Sequence, residues 1–168
     1  VNFLLNSSCL LGLLLALTSC GYSLRGSDSL AANFQSIQLN VEQSNGEFSR
    51  LLLRSLQSAG VDVELVNSEF SDSSPVLMVS NEQLVSRPVS INARSRAAQY
   101  ELRLSVTIAM GNESTGYLIE PEPLIVQRIY FEDIENISGN REEVEIISAE
   151  MRRELVLQLM RRLESLEI

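Results

Sequence analysis

Between residues 35 and 41, Ile37, Leu39 and Val41 alternate with polar neighbours, the period of a half-buried strand. Ser44-Asn45-Gly46 follows as a turn and helix entry. Phe48, Leu51, Leu52, Leu56 and Ala59 then recur at helical spacing, with Arg50, Arg54 and Gln57 on the other side. Gly60 fits the C-terminal cap of that helix, and a short strand over 61–66 is expected directly after it. Residues 67–74, rich in Ser and Asp, read as a loop. A β-prone segment covers 75–85, with Leu77 and Val79 alternating against Met78 and Ser80, and 86–96 follows without a clear period.

The clearest strand is 98–110. Tyr100, Leu102, Leu104, Val106 and Ile108 face one way, and Gln99, Glu101, Arg103, Ser105 and Thr107 the other, so one face is core and one wet. A loop is expected at 111–116, then Pro121 and Pro123, a strand over 124–131 and an acidic loop over 132–140. A long helix over 142–166 carries the stripe Val144, Ile147, Met151, Leu155 and Leu159, widened by Val156, Met160 and Leu163. The order strand, helix, strands, helix predicts an α+β fold. In this two-layer α/β sandwich, two helices pack on one face of a mixed sheet of about four or five strands.

Ahead of all this lies a stretch of different character. The apolar run ending at Leu17 is too short to span a bilayer comfortably, and it breaks at Cys20, after which the chain turns polar. Leu17-Thr18-Ser19-Cys20 resembles a lipobox, in which small residues let a peptidase grip the extended backbone and the thiol takes up diacylglycerol. Residues 1–19 are therefore expected to be a signal peptide cleaved before Cys20, leaving 20–168 as a single periplasmic domain of about 150 residues, enough to bury a real core. The first charged residue is Arg25, and the start at Val1 points to an alternative initiation codon or a missing upstream segment.

Composition then removes function classes. The formal net charge is −9 and every basic residue is Arg, which argues against nonspecific binding of nucleic acid. With no His, Ser-His-Asp and Cys-His devices and histidine metal sites are excluded. Cys9 would leave with the signal and Cys20 would be acylated, so no thiol remains for a disulfide, a nucleophile or a zinc cluster, and no metal or cofactor is expected. The pairs Glu132-Asp133 and Glu142-Glu143 do not converge, because adjacent residues point to opposite faces of a strand and lie about 100° apart on a helix.

At this point a family resemblance becomes visible. Cys20-Gly21-Tyr22-Ser23-Leu24-Arg25-Gly26 is similar to the lipidated start of the LPS-assembly lipoprotein family LptE. Phe48-Ser49-Arg50 with Leu56 and Gly60-Val61 resembles that family's first helix and its exit. Ala98-Gln99-Tyr100-Glu101-Leu102 and Arg128-Ile129-Tyr130-Phe131 resemble two of its strands. The resemblance implies a non-enzymatic lipoprotein, lipid-anchored on the periplasmic side of the outer membrane. Such a protein plugs an LptD-type β-barrel, helps it assemble, and binds lipopolysaccharide on its way to the cell surface. Gly21, where an Asp would suggest retention in the inner membrane, is compatible with that address. Many members carry a polar tail after the last helix, and this chain stops at Ile168.

Lipopolysaccharide carries phosphates and carboxylates, which a guanidinium can grip with two parallel hydrogen bonds. The candidate contacts are arginines expected in loops near strand ends, Arg94 and Arg96 first, then Arg141 and Arg87, gathered at one end of the sandwich. Against this, each could be a solvated charge paired with one of the many carboxylates. Any such contact must be local on so acidic a chain. The barrel interface is expected to be larger and to involve Tyr117 and residues 86–96. Arg161-Arg162 at the end of the last helix complements its dipole. The competing reading is a lipid-anchored periplasmic scaffold or binding module unrelated to lipopolysaccharide.

Overall fold

The computed structural model describes residues 28–67, 74–91, 97–132 and 137–166. In chain order these form α1 (Asp28–Asn33), β1 (Ser36–Val41), α2 (Glu47–Ser58), β2 (Asp62–Leu65), β3 (Val76–Ile91), β4 (Ala97–Asn112), β5 (Gly116–Phe131) and α3 (Ile137–Glu164). One five-stranded sheet has the order β2-β1-β3-β4-β5. β1 runs parallel to both β2 and β3, while β3, β4 and β5 form an antiparallel meander. The expected mixed sheet with helices on one face is present, with the short α1 as an addition.

A β-α-β unit opens the fold. Ile37 and Leu39 of β1 are fully buried beneath α2, whose Phe48, Leu52 and Leu56 form its inward stripe. α2 ends where Gly60 adopts φ +80: the Gly60 N–H reaches the Gln57 carbonyl at 3.0 Å and the Val61 N–H the Leu56 carbonyl at 3.2 Å. These two bonds and the buried Leu56–Val61 pair make a Schellman cap, which turns the chain straight into β2.

α3 supplies most of the remaining cover. Met151, Leu155, Val156, Leu159 and Leu163 are buried in one cluster with Leu102, Leu104, Val106 and Ile108 of β4, as the two periodicities require. Tyr100 and Tyr130, opposite each other on β4 and β5, stack with ring centroids 5.6 Å apart and an interplanar angle of 22°.

Several expected boundaries change. β3 continues through Ile91, where no period was legible, because residues 83–89 are exposed on both faces and no burial imposes alternation. β5 includes Pro121 and Pro123 instead of starting after them, which an edge strand permits because its outer side needs no N–H donors. The loop at 111–116 shrinks to a tight turn, and Asn112 Oδ1 accepts from the Thr115 N–H at 2.7 Å. α3 begins at Ile137, earlier than the pattern indicated, and the helix is longer than expected.

A bulge in β3 has a positional consequence. Ser80 pairs with Thr107 and Gln83 with Ser105, so one extra residue is inserted on β3. Asn81 occupies the left-handed region at φ 56, and its N–H donates to Glu42 Oε2 at 2.7 Å. The insertion brings Glu82 to α3, where its carboxylate meets Arg152 at 2.9 Å.

Candidate functional site

The sheet has two unlike faces. On the helix side, α3 is tied down by ion pairs at three places along its length. Arg152 bonds Glu82 of β3 and, at 3.0 Å, Glu47 in the first turn of α2. Arg128 of β5 pairs with Glu154. Arg162 pairs with Glu122 of β5 at 2.9 Å. Arg152 and Arg162 are thus brackets between layers, a role their helical positions alone did not disclose.

The face without helices carries the polar positions of β4 between neighbours from β3 and β5. Glu101 lies at its centre, with a side chain only 14% exposed. It accepts from Arg87 Nε at 2.9 Å and from Gln127 Nε2 at 3.5 Å. Arg103, next on that face, is exposed between Val85 and Gln127, and among the described residues it makes no ion pair. Around this polar centre stand exposed apolar side chains: Val85, Tyr117, Ile129 (60% exposed) and Phe131 (66% exposed). The alternation along β4 marks this face as wet but carries no sign of how much of its margin is hydrophobic.

Of the four candidate arginines, Arg87 is not in a loop: it lies within β3 and is engaged by Glu101 across the β3–β4 ladder. Arg141 is also not in a loop but inside α3, exposed near its beginning. Arg94 and Arg96, like Cys20 and Asp133, lie outside the described residues. Glu142 and Glu143 are exposed neighbours on α3, and no group of three or more potential metal ligands occurs among the described residues.

One titrating group on this end of the sheet is displaced. The Tyr100 hydroxyl donates to the Glu132 carboxylate, and this bond, with desolvation and the nearby negative charge, raises its ionisation above the ordinary 10.0. No described helix is long and apolar enough to cross a membrane.

This architecture matches known proteins across most of its length. Rare lipoprotein B from Shewanella oneidensis superposes with a TM-score of 0.65 at 23% identity, over 77% of this chain and 96% of that one. Lipoprotein B from Nitrosomonas europaea gives 0.64 at 21% identity, over 86% and 91% respectively. In sequence, the LPS-assembly lipoprotein LptE of Pectobacterium atrosepticum is 28% identical over 156 residues, 91% of this chain and 82% of the relative. Its counterpart in Yersinia enterocolitica is 26% identical over 155 residues, 92% of this chain and 73% of the relative. The family model described as LptE, lipopolysaccharide-assembly, matches residues 34–163, from the end of α1 through nearly all of α3. With the sheet, both long helices and the strand pattern inside that match, the chain belongs to the LptE lipopolysaccharide-assembly family.

Proposed function

We propose that this protein is a non-enzymatic outer-membrane lipoprotein, acylated at Cys20 and held on the periplasmic side. There it plugs an LptD-type β-barrel, assists that barrel's assembly, and binds lipopolysaccharide during transport to the cell surface. The observation that carries this reading is the family match over residues 34–163. The unlike faces of the sheet support it: one is sealed by helices and ion pairs, and the other leaves Arg103, Ile129 and Phe131 available to a large partner. An acidic chain binds a polyanionic lipid only through a local cluster of arginines. Arg94 and Arg96 are the proposed contacts, with Arg141 next. Arg87 falls lower because Glu101 already takes its guanidinium.

The test is a mild-detergent pull-down of the tagged full-length protein from its own outer membrane, with mass spectrometry of what accompanies it. A stoichiometric large β-barrel that misassembles on depletion of this protein is the expected result. Recovery alone, or with soluble periplasmic proteins only, would overturn the plug reading in favour of a lipid-anchored scaffold. Given the barrel, a double Arg94→Ala, Arg96→Ala variant should lose lipopolysaccharide binding while keeping the barrel.

A further inference from the structure

Strand edges are where a sheet can recruit another chain, and three of the four free stretches of edge among the described residues are blunted. β2, the edge on one side, is only four residues long and carries Asp62 and Glu64. Beyond its pairing with β1, which ends at Val79, β3 has a free side interrupted by register shifts and by Pro88. The first half of β5 contains Pro121 and Pro123. Residues 124–131 remain: Leu-Ile-Val-Gln-Arg-Ile-Tyr-Phe, free of proline and paired in unbroken register with β4 on one side only.

Which backbone groups point outward follows from the prolines. Pro123 lies opposite Thr107 and has no N–H to give, so that pair fits a non-hydrogen-bonded position of the ladder. The alternation then turns the even residues of β4 toward β5 and the odd ones toward β3. Pro88, opposite Tyr100 on the other side of β4, requires the same alternation. Arg128 agrees independently: its Nη1 donates to the Gln127 carbonyl at 2.9 Å, an oxygen available because it faces away from β4. Ile125, Gln127, Ile129 and Phe131 therefore present N–H and C=O groups outward, and apart from that one carbonyl no backbone bond reaches them among the described residues. The same four side chains lie on the helix-free face, where Ile129 and Phe131 are widely exposed.

We infer that residues 124–131 of β5 form a strand-addition site, which takes an extended segment of a partner protein with apolar side chains at alternate positions and basic residues at its ends. Main-chain bonds to the outward groups would supply affinity, and contact with Ile125, Ile129 and Phe131 the side-chain preference. The charge requirement comes from the margins: Glu120 lies before the edge and Glu132 directly after it, on a chain of net charge −9, while Glu122 is already held by Arg162. Antiparallel pairing of two copies would set those acidic margins against each other, so a second copy is disfavoured. The inference stands independently of the lipopolysaccharide reading.

The test is residue-resolved amide exchange by NMR on the full chain. The probe is a synthetic peptide of alternating Thr and Val, flanked by Arg and matched in length to residues 124–131. Without peptide, the amides of Ile125, Gln127, Ile129 and Phe131 should exchange fast and those of Val126, Arg128 and Tyr130 slowly. Peptide should slow the first set selectively. An otherwise identical peptide flanked by Glu should bind about fivefold more weakly at low salt, the equivalent of two exposed charge pairs. Ile129→Pro removes an outward donor without touching the β4 ladder, as Pro123 already does, and should weaken the peptide at least about tenfold. Slow exchange at Arg128 and Tyr130 in that variant reports that the sheet is intact; should they become fast, Gln127→Pro, at another outward position, replaces it. The inference is overturned if the outward amides are already slow in dilute protein, or if saturating peptide protects none of them. Protection that rises with protein concentration alone overturns it in favour of self-pairing, and equal binding of the Glu-flanked peptide removes the charge requirement and the partner class with it.

Discussion

Replacing Arg152 with Met should cost this fold far more than a surface arginine does. The guanidinium is 20% exposed and bonds two carboxylates of different character: Glu82, 15% exposed, and Glu47, 46% exposed. Methionine keeps much of the aliphatic stem and deletes the charge. A lost charge-assisted bond to the largely buried Glu82 is worth about 1.5–3 kcal/mol, and the half-exposed pair with Glu47 about 0.2–1 kcal/mol. The sum is about 2–4 kcal/mol, a large share of the roughly 5–15 kcal/mol that stabilises a typical domain. The midpoint of thermal unfolding should fall by about 5–12 °C.

Most of this cost is the charge left behind on Glu82. Arg152→Met combined with Glu82→Gln should be more stable than the sum of the single losses by about 1–2 kcal/mol, because no buried charge is then orphaned. Glu47→Gln alone should cost less than about 1 kcal/mol. Urea unfolding followed by circular dichroism reads the parent, Arg152→Met, Glu82→Gln, the double variant and Glu47→Gln. An Arg152→Met variant within about 0.5 kcal/mol of the parent, or strict additivity with Glu82→Gln, would refute the bracket.

Gly60→Ala should destabilise by about 1–2 kcal/mol in the same assay. The new methyl would meet only the Ala31 side chain, at 3.5 Å, so the cost is the left-handed backbone and not a clash. Leu155→Ala, at a fully buried position under the sheet, should cost about 2–5 kcal/mol. Asn81→Gly should stay within about 0.5 kcal/mol of the parent, whereas Asn81→Val, forced to φ 56, should lose more than about 1 kcal/mol and loosen the Glu82–Arg152 contact. Tyr100 keeps its proton more tightly in the folded chain, so its contribution to stability is fully present below about pH 10, the unfolded value, and fades as pH rises through the higher folded value. Ultraviolet titration of tyrosinate should show this late ionisation disappear in Tyr100→Phe and move back toward 10.0 in Glu132→Gln.

The elements that could be read from sequence are those whose burial is one-sided. β4 alternates because α3 covers Leu102, Leu104, Val106 and Ile108 while Glu101 and Arg103 face away from it, and the stripe of α3 is the other half of the same contact. Where burial is absent or two-sided, the pattern is silent. Residues 83–89 are exposed on both faces, so β3 leaves no period there. α1, with six residues, is too short to show one. The candidate arginines were chosen by residue type and by expected loops, and both described members turned out to lie in regular elements. Arg152 could not have been singled out, since its partner Glu82 is 70 residues away and meets it only through a one-residue bulge.

The placement of charge and of exposed apolar side chains gives the domain a direction. Among the described residues, the ion pairs that reach α3 from other elements lie on the helix side, where they hold the layer in register. On the opposite face the only ion pair among the described residues, Arg87 with Glu101, sits at the centre, and the apolar groups lie outside it at Val85, Ile129, Phe131 and Tyr117. A face built only to meet water would gain nothing from Phe131 at 66% exposure beside an unblunted strand edge. A face built to dock gains apolar area at its margin, a polar centre that fixes orientation, and a backbone edge that accepts an extended chain. Removing the centre and removing the margin should therefore have different effects: Glu101→Gln alters which partner orientation is tolerated, whereas Phe131→Ser weakens every orientation alike.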